Sequence, residues 1–322
     1  MALSNVQVYD REIAGNTIEL LGQKIDKFNA SSGNTVILTS AAWEGDYTKE
    51  SFYNQIAGAK RRVDRYAANG AQAATNLTQA EMVGVKVAGG FGPVLFEPSQ
   101  LSWMQRNPGE AVMVIAEGFA NALLADQLNT AIAAAVSAVE NVAALVNDVS
   151  GSAAISQGAL NGSHRKFGDS SQMLGADFMT GDVYHRLIGD AIANSADLFE
   201  AGNVRVVNIL GKLVVVSDIP ALYEAGTPNK DKVLSVVNQG IIVDNSTDII
   251  TNLETTNGKE RIETTWQADY TFGLRLKGYS WDTANGGASP TDAELATGTN
   301  WDKNVADNKH TLGTLAIGSA DA

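Results

Sequence analysis

The sequence predicts an α+β fold, and three stretches carry that prediction. After Asn107-Pro108, apolar residues recur at steps of three and four through Val112, Ile115, Phe119, Leu123, Leu128, Ile132, Val136, Val139 and Val146. From Arg261 to Trp281 the period is two, with Ile262, Thr264, Trp266, Ala268 and Tyr270 on one side. Between them, from Ser152 to Tyr223, helical and strand patterns alternate.

The elements follow in order. Val6 to Phe28 is helical by the spacing of Ile13, Thr17, Leu20, Leu21, Lys24 and Phe28. It has no second element beside it, so residues 1–34 read as an arm that packs on something else. Asn34 to Ser40 is a β-branched strand after Gly33, and Glu81 to Val87 alternates as the return strand. Between these lies Ala41 to Gln79, polar but holding Trp43, Tyr47, Phe52, Tyr53 and Tyr66, with a turn at Asn69-Gly70. Compact domains seldom contain so long a connection, so residues 35–87 predict a loop that reaches out between its flanking strands. Val87 to Pro93 is Gly-rich and reads as a turn.

Residues 88–150 are dominated by the long helix. Asn107 is its expected N-cap, Pro108 its first residue, and Glu110 lies in the first turn. Carried to Val146 it would measure about 55 Å at 1.5 Å per residue. Residues 151–228 form an α/β unit. Its helix runs Thr180 to Phe199 with Thr180 as cap, and Asn203 to Asp218 gives two strands joined at Gly211. The second of these, Leu213 to Val216, is apolar on both faces and predicts a central buried strand. Residues 229–284 are β, with Val233 to Val243 as one run and a bend expected near Gly273 in the other. The segment 285–322 opens a helix at Ser289-Pro290-Thr291-Asp292.

Composition narrows the function. A net charge of −13 disfavours a nucleic-acid binder that works by neutralising phosphates. Zero cysteines exclude disulfides, Cys-ligated zinc and thiol catalysis. Charged residues are 18%, below the ~25% typical of soluble domains, which fits a surface covered by partners. The N-terminus lacks the pattern of a signal peptide, and Thr130 to Val139 is too short for a membrane span. His164, His185 and His310 lack metal-ligand spacing. Gly168-Asp169-Ser170-Ser171 lacks the G-x-S-x-G elbow, and Gly89 to Pro93 is not followed by Lys-Ser/Thr. No catalytic residue, metal or cofactor is expected. What stands out is Lys60, Arg61, Arg62 and Arg65, a basic cluster on an acidic chain, with Trp43 and Tyr47 in the same loop. Such a patch is complementary to the rest of the chain's own surface, so these six residues are the candidate contacts between subunits.

Several strings carry a resemblance. WEGDYTKESFYNQIAG followed by KRRVDRY, LSWMQRNPGEA before the long helix, FGDSSQMLGADFMTGDVYHRL, TTNGKERIETTWQADYTFGLRLKGYSWD and ANGGASPTDAELATGTNWDK occur in that order from Trp43 to Lys303. Together with the element order they resemble the major capsid proteins of tailed bacteriophages, of the Hong Kong 97 type. The resemblance implies an N-arm, an extended E-loop, a peripheral domain with a spine helix and long strands, and an axial domain. It further implies hexamers and pentamers closing an icosahedral head around double-stranded DNA. Portal, a separate scaffolding protein and decoration proteins would be partners, with non-specific DNA contact, no membrane, and assembly in the host cytoplasm. Alternatives are an encapsulin-like nanocompartment shell, a tail or decoration protein, and an enzyme whose site leaves no signature.

Overall fold

The computed structural model describes residues 3–39, 43, 45–53, 59–68, 70–97, 100, 102, 106, 108–194, 208–209, 211–258 and 260–322. Helix α1 (Leu3–Ser31) outruns the predicted span at both ends. Ile13, Thr17, Leu21 and Ile25, each about one turn from the next, are buried. They do not wait for an outside surface. Ile13, Leu21 and Ile25 belong to one core cluster with Val112, Phe119 and Leu123 of the long helix α2 (Pro108–Glu140). The expectation of an unpartnered arm is therefore corrected: the apolar stripe of α1 is spent inside its own chain. Thr17 is tolerated there because its hydroxyl donates to the Ile13 carbonyl at 2.7 Å. At the helix end, Gly33 and Asn34 take positive φ and turn the chain. Asn29 then pins the next strand, donating to Leu38 O and accepting from Leu38 N–H.

Five strands form the first sheet: β1 (Val36–Thr39), β2 (Tyr47–Tyr53), β3 (Gln79–Phe96), β10 (Ile241–Thr256) and β11 (Glu263–Leu276). Their order is β1-β10-β11-β3-β2. The partner of β3 is thus β2, a polar strand the sequence did not reveal, while β1 lies at the far edge, parallel to β10. The Gly-rich segment 87–93 is not a turn; β3 runs straight through it. A Cβ on Gly89 would lie 2.6 Å from Tyr270 Cε2, so the glycine makes room for that ring. Gly92, at φ +102, sits where the register against β11 slips between Trp266 and Ala268. One face of this sheet packs on α2: the rings of Phe91, Phe119 and Trp266 meet at centroid distances of 5.3–5.8 Å. The predicted alternation holds from Thr264 through Trp266, Ala268 and Tyr270 and continues to Phe272, all buried, but Ile262 is exposed because it precedes β11, which begins at Glu263.

The predicted bend near Gly273 falls later. β11 continues to Leu276, Lys277-Gly278 turns, and β12 (Tyr279–Trp281) leaves to pair with β13 (Trp301–Lys303).

The second sheet holds β4 (Val146–Asp148), β5 (Leu174–Met179), β6 (Asn208–Ile209), β7 (Lys212–Val216), β8 (Tyr223–Glu224), β9 (Lys230–Val237) and β14 (Gly313–Ser319). The order is β4-β14-β9-β5-β7-β6, with β8 beside β9. Val233 to Val243 is therefore not one run. Gln239, at φ +57, and Gly240 break it and send β9 and β10 into different sheets. β7 is half-exposed and not central, because outside it lies only the two-residue β6; β5 and β9 hold the centre. Helix α2 stops at Glu140, short of Val146, since Asn141 and Val142 N–H close the last turn on Ser137 and Val139 and Val146 is claimed by β14. At 33 residues it spans about 50 Å. Its length and composition would suit a bilayer span, but 61% of its most apolar window is buried in this fold.

Three shorter helices complete the description: α3 (Gln157–His164), α4 (Gly181–Asn194) and α5 (Asp292–Leu295). Thr180 Oγ1 accepts from Val183 N–H at 3.4 Å, as its predicted capping role requires. Thr291 and Glu294 form a reciprocal capping box. The predicted cap Asn107, residue Asn69 of the predicted turn, and residues 195–199 and 203–207 lie outside the described residues. The second sheet is tied to α2 by Lys232 of β9, whose ammonium reaches Glu140 at the end of α2 (2.8 Å) and Glu224 of β8 (2.7 Å).

Candidate assembly surface

The loop bearing the candidate residues is a β-hairpin, paired from Tyr47↔Val85 at its base to Tyr53↔Gln79. The base is fixed by an aromatic anchor. Trp43 is 6% exposed, and its indole lies in a notch made by two missing side chains. A Cβ on Gly273 would fall inside the indole, and one on Gly84 would lie 3.0 Å from its Cη2. Beside it Arg275 bridges Glu50 of β2 and Asp244 of β10, the latter at 2.9 Å. Thr39 Oγ1 donates to the same Asp244 at 2.6 Å. Four strands are thereby tied together under the hairpin. Tyr47 is half-buried at this base, packed against the core. Trp43 and Tyr47 thus support the hairpin at its base.

Lys60, Arg61, Arg62 and Arg65 lie close in sequence, all exposed, in irregular chain between β2 and β3. Among the described residues no carboxylate forms an ion pair with any of them. Asp64 instead accepts the Tyr66 N–H at 2.9 Å and shapes a local turn. Two apolar side chains stand among the charges: Val63 is 66% exposed and Tyr66 is 93% exposed.

Elsewhere the chemistry is structural. Among the described residues no group of three His, Asp or Glu could hold a metal. His164 is buried, which the sequence did not show, and its Nε2 lies 3.1 Å from both Asp177 Oδ1 and Ser235 Oγ. A hydrolytic triad places acid and nucleophile on opposite ring nitrogens. Here both face one nitrogen, out of contact with solvent, so the group is a polar knot within the second sheet. Lys212 donates to the carbonyls of Ser171 and Leu174, and burial pushes its pKa down. A cleft of about 200 Å³ lies between Glu50, Met82, Ile242, Leu276 and Tyr279, and larger hollows of about 420 and 340 Å³ lie beside Asn147 and Ser156 and beside Ser137 and Gly298.

The family model described as "Major capsid protein 13-like" matches residues 5–315. The chain belongs to the Gp13-like family of major capsid proteins. No curated protein matches it in sequence. Its fold is nonetheless that of solved phage capsids. A chain of Mycobacterium phage Cain superposes with a TM-score of 0.51 at 11% identity, over 88% of this chain and 87% of that one. A chain titled "Cyanophage Pam1 capsid asymmetric unit" gives 0.50 at 10% identity over the same shares. The Hong Kong 97 type expected from the sequence is the fold observed. This capsid protein is accordingly a coat subunit of the virion that assembles with copies of itself.

Proposed function

We propose that copies of this chain form hexamers and pentamers that close an icosahedral head around the double-stranded DNA of a tailed phage, with no catalytic step of their own. The observation that carries this reading is the loop beyond the hairpin strands: Lys60, Arg61, Arg62 and Arg65 are exposed and form no ion pair among the described residues, on a chain of net charge −13. In it Lys60, Arg61, Arg62 and Arg65 touch a neighbouring subunit, while Trp43 and Tyr47 hold the hairpin in position. Residues 1–34 are the N-arm, 35–87 the E-loop, 88–150 and 229–284 the peripheral domain, 151–228 the axial domain and 285–322 a C-terminal segment. Assembly takes place in the host cytoplasm with a portal and a separate scaffolding protein; decoration proteins and loose contact with DNA complete the partners. The test is expression with and without the neighbouring phage proteins, followed by sedimentation and negative-stain electron microscopy. Uniform closed shells or capsomer rings are expected. A monodisperse monomer in every condition would overturn the reading.

A further inference from the structure

We infer that Asn257, in the turn from β10 to β11, is a site of spontaneous covalent modification, where the side chain cyclises on the next amide and opens to aspartate or isoaspartate. The reaction needs three things: a following residue with no Cβ to shield its nitrogen, a backbone free to bring that nitrogen onto the side-chain carbonyl, and water. The deprotonated Gly258 nitrogen attacks Asn257 Cγ, the bond from Cγ to Nδ2 breaks, and ammonia leaves. Water then adds to either carbonyl of the cyclic imide and opens it. No electron is gained or lost, and water is the only other reactant.

Asn-Gly pairs stand at 69, 161, 257 and 285, and Asn69 lies outside the described residues. The other three differ in freedom. Asn161 and Gly162 are inside α3, where the backbone is helical and its amides are held in the helix ladder. A Cβ on Gly162 would lie 2.7 Å from Asn147 Nδ2, so that turn of helix is also packed from outside. Asn285 is exposed but clamped. Its Nδ2 donates to Asp282 Oδ2 at 2.5 Å and its backbone N–H to Asp282 Oδ1 at 3.2 Å. The nitrogen that would attack is engaged too, since Gly286 N–H donates to the Asp282 carbonyl at 2.8 Å. Gly286 is buried, and a Cβ there would lie 2.1 Å from Trp281 Cζ2, so its backbone cannot turn.

Asn257 carries none of these restraints. It and Gly258 are exposed and lie beyond the last rung of the β10–β11 ladder, Thr256↔Glu263. Among the described residues nothing hydrogen-bonds to the Asn257 side chain or the Gly258 N–H. Gly258 takes φ +88, and no atom lies within 4 Å of where its Cβ would be. The product gains a negative charge in a turn that already holds Glu260, between strand ends bearing Glu254 and Glu263. The guanidinium of Arg261 is already engaged by both oxygens of Glu97, at 2.6 and 3.0 Å, so the new carboxylate is left to solvent. Because the residue is outside the ladder, the sheet survives the change and modified subunits stay folded.

The test holds the full-length folded chain for days in warm, mildly alkaline buffer and follows amide-to-acid conversion at each Asn-Gly pair by peptide mass mapping. A parallel sample is kept in urea, and ion exchange follows the charge of the intact chain. Asn257 should convert at least about tenfold faster than Asn161 and Asn285 in the folded chain, equivalent to a barrier lower by about 1.4 kcal/mol. In urea the three should draw level, because only the fold separates them. The acidic form on ion exchange should accumulate with wild type, melt at the wild-type temperature, and accumulate far more slowly with Asn257→Gln. An Asn257 that stays intact in the folded chain while it converts in urea would overturn the inference. So would conversion of Asn161 or Asn285 at the same rate as Asn257 in the folded chain, or an equal lead for Asn257 in urea.

Discussion

Gly273→Ala should unfasten the hairpin from its base. The added methyl falls inside the Trp43 indole, so one of the two must leave. The backbone at Gly273 is locked between Asp244 and Lys86 in the middle of the first sheet, which leaves Trp43 to move. A buried tryptophan hides about 150–250 Å², and at about 25 cal/mol per Å² its full release forfeits up to roughly 4–6 kcal/mol. Partial relaxation makes about 3–5 kcal/mol the expected cost, the range for emptying an aromatic site. Trp43→Ala should cost the same, because it removes the same contact from the other side. The double variant should then cost no more than Trp43→Ala alone, since the alanine methyl partly fills the vacated notch. The assay is urea unfolding of an unassembled subunit, read as a double-mutant cycle. A loss below about 1 kcal/mol for Gly273→Ala, or additive losses in the double variant, would refute the argument that the glycine exists for the indole.

Tyr270→Phe removes a 2.7 Å hydrogen bond to Asp126, whose carboxyl burial already holds above the usual carboxylate range. A loss of about 1.5–3 kcal/mol is expected by urea unfolding. Asp126→Asn keeps an acceptor for Tyr270 and removes the charge. A carboxyl with a raised folded pKa favours folding most below its unfolded value, and that contribution is lost as pH rises through the folded one. The stability of Asp126→Asn relative to wild type should therefore improve from pH 4 to pH 7; a flat difference would count against the assignment. Lys232→Met strips Glu140 and Glu224 of their shared cation and should cost about 1–3 kcal/mol. Glu224 is held below its usual range by Lys232 and Lys230, so wild type should lose stability as acid protonates it, and the acid limb of Lys232→Met should be shallower.

Local periodicity made α2 and β11 legible, because both bury one side chain after another at a fixed step. The same logic overran at the end of α2. Val142 and Val146 continue the helical spacing, but Val146 pairs with Leu315, 169 positions away, and no local pattern registers that partner. The glycines of 87–93 misled for a related reason. Glycine marks turns locally, whereas here it serves a ring from another strand. Tyr47–Tyr53 was unreadable as a strand since it is largely exposed and polar, its strandness supplied by β3. The basic cluster could be seen because its members are contiguous.

The place of β14 has a consequence for synthesis. All seven of its residues are buried, and it lies between β4, for which it is the sole strand partner, and β9. A Cβ on Gly318 would lie 2.5 Å from the Ile155 nitrogen, so the strand is threaded through tightly enclosing backbone. A nascent chain halted before Gly313 holds α1, α2 and all the strands of the first sheet, yet its second sheet has a gap and two open edges. Such a product offers raw strand edges to proteases and chaperones in place of a finished subunit. Folding thus inspects translation, and only copies made through to Ser319 reach the pool from which a shell can draw.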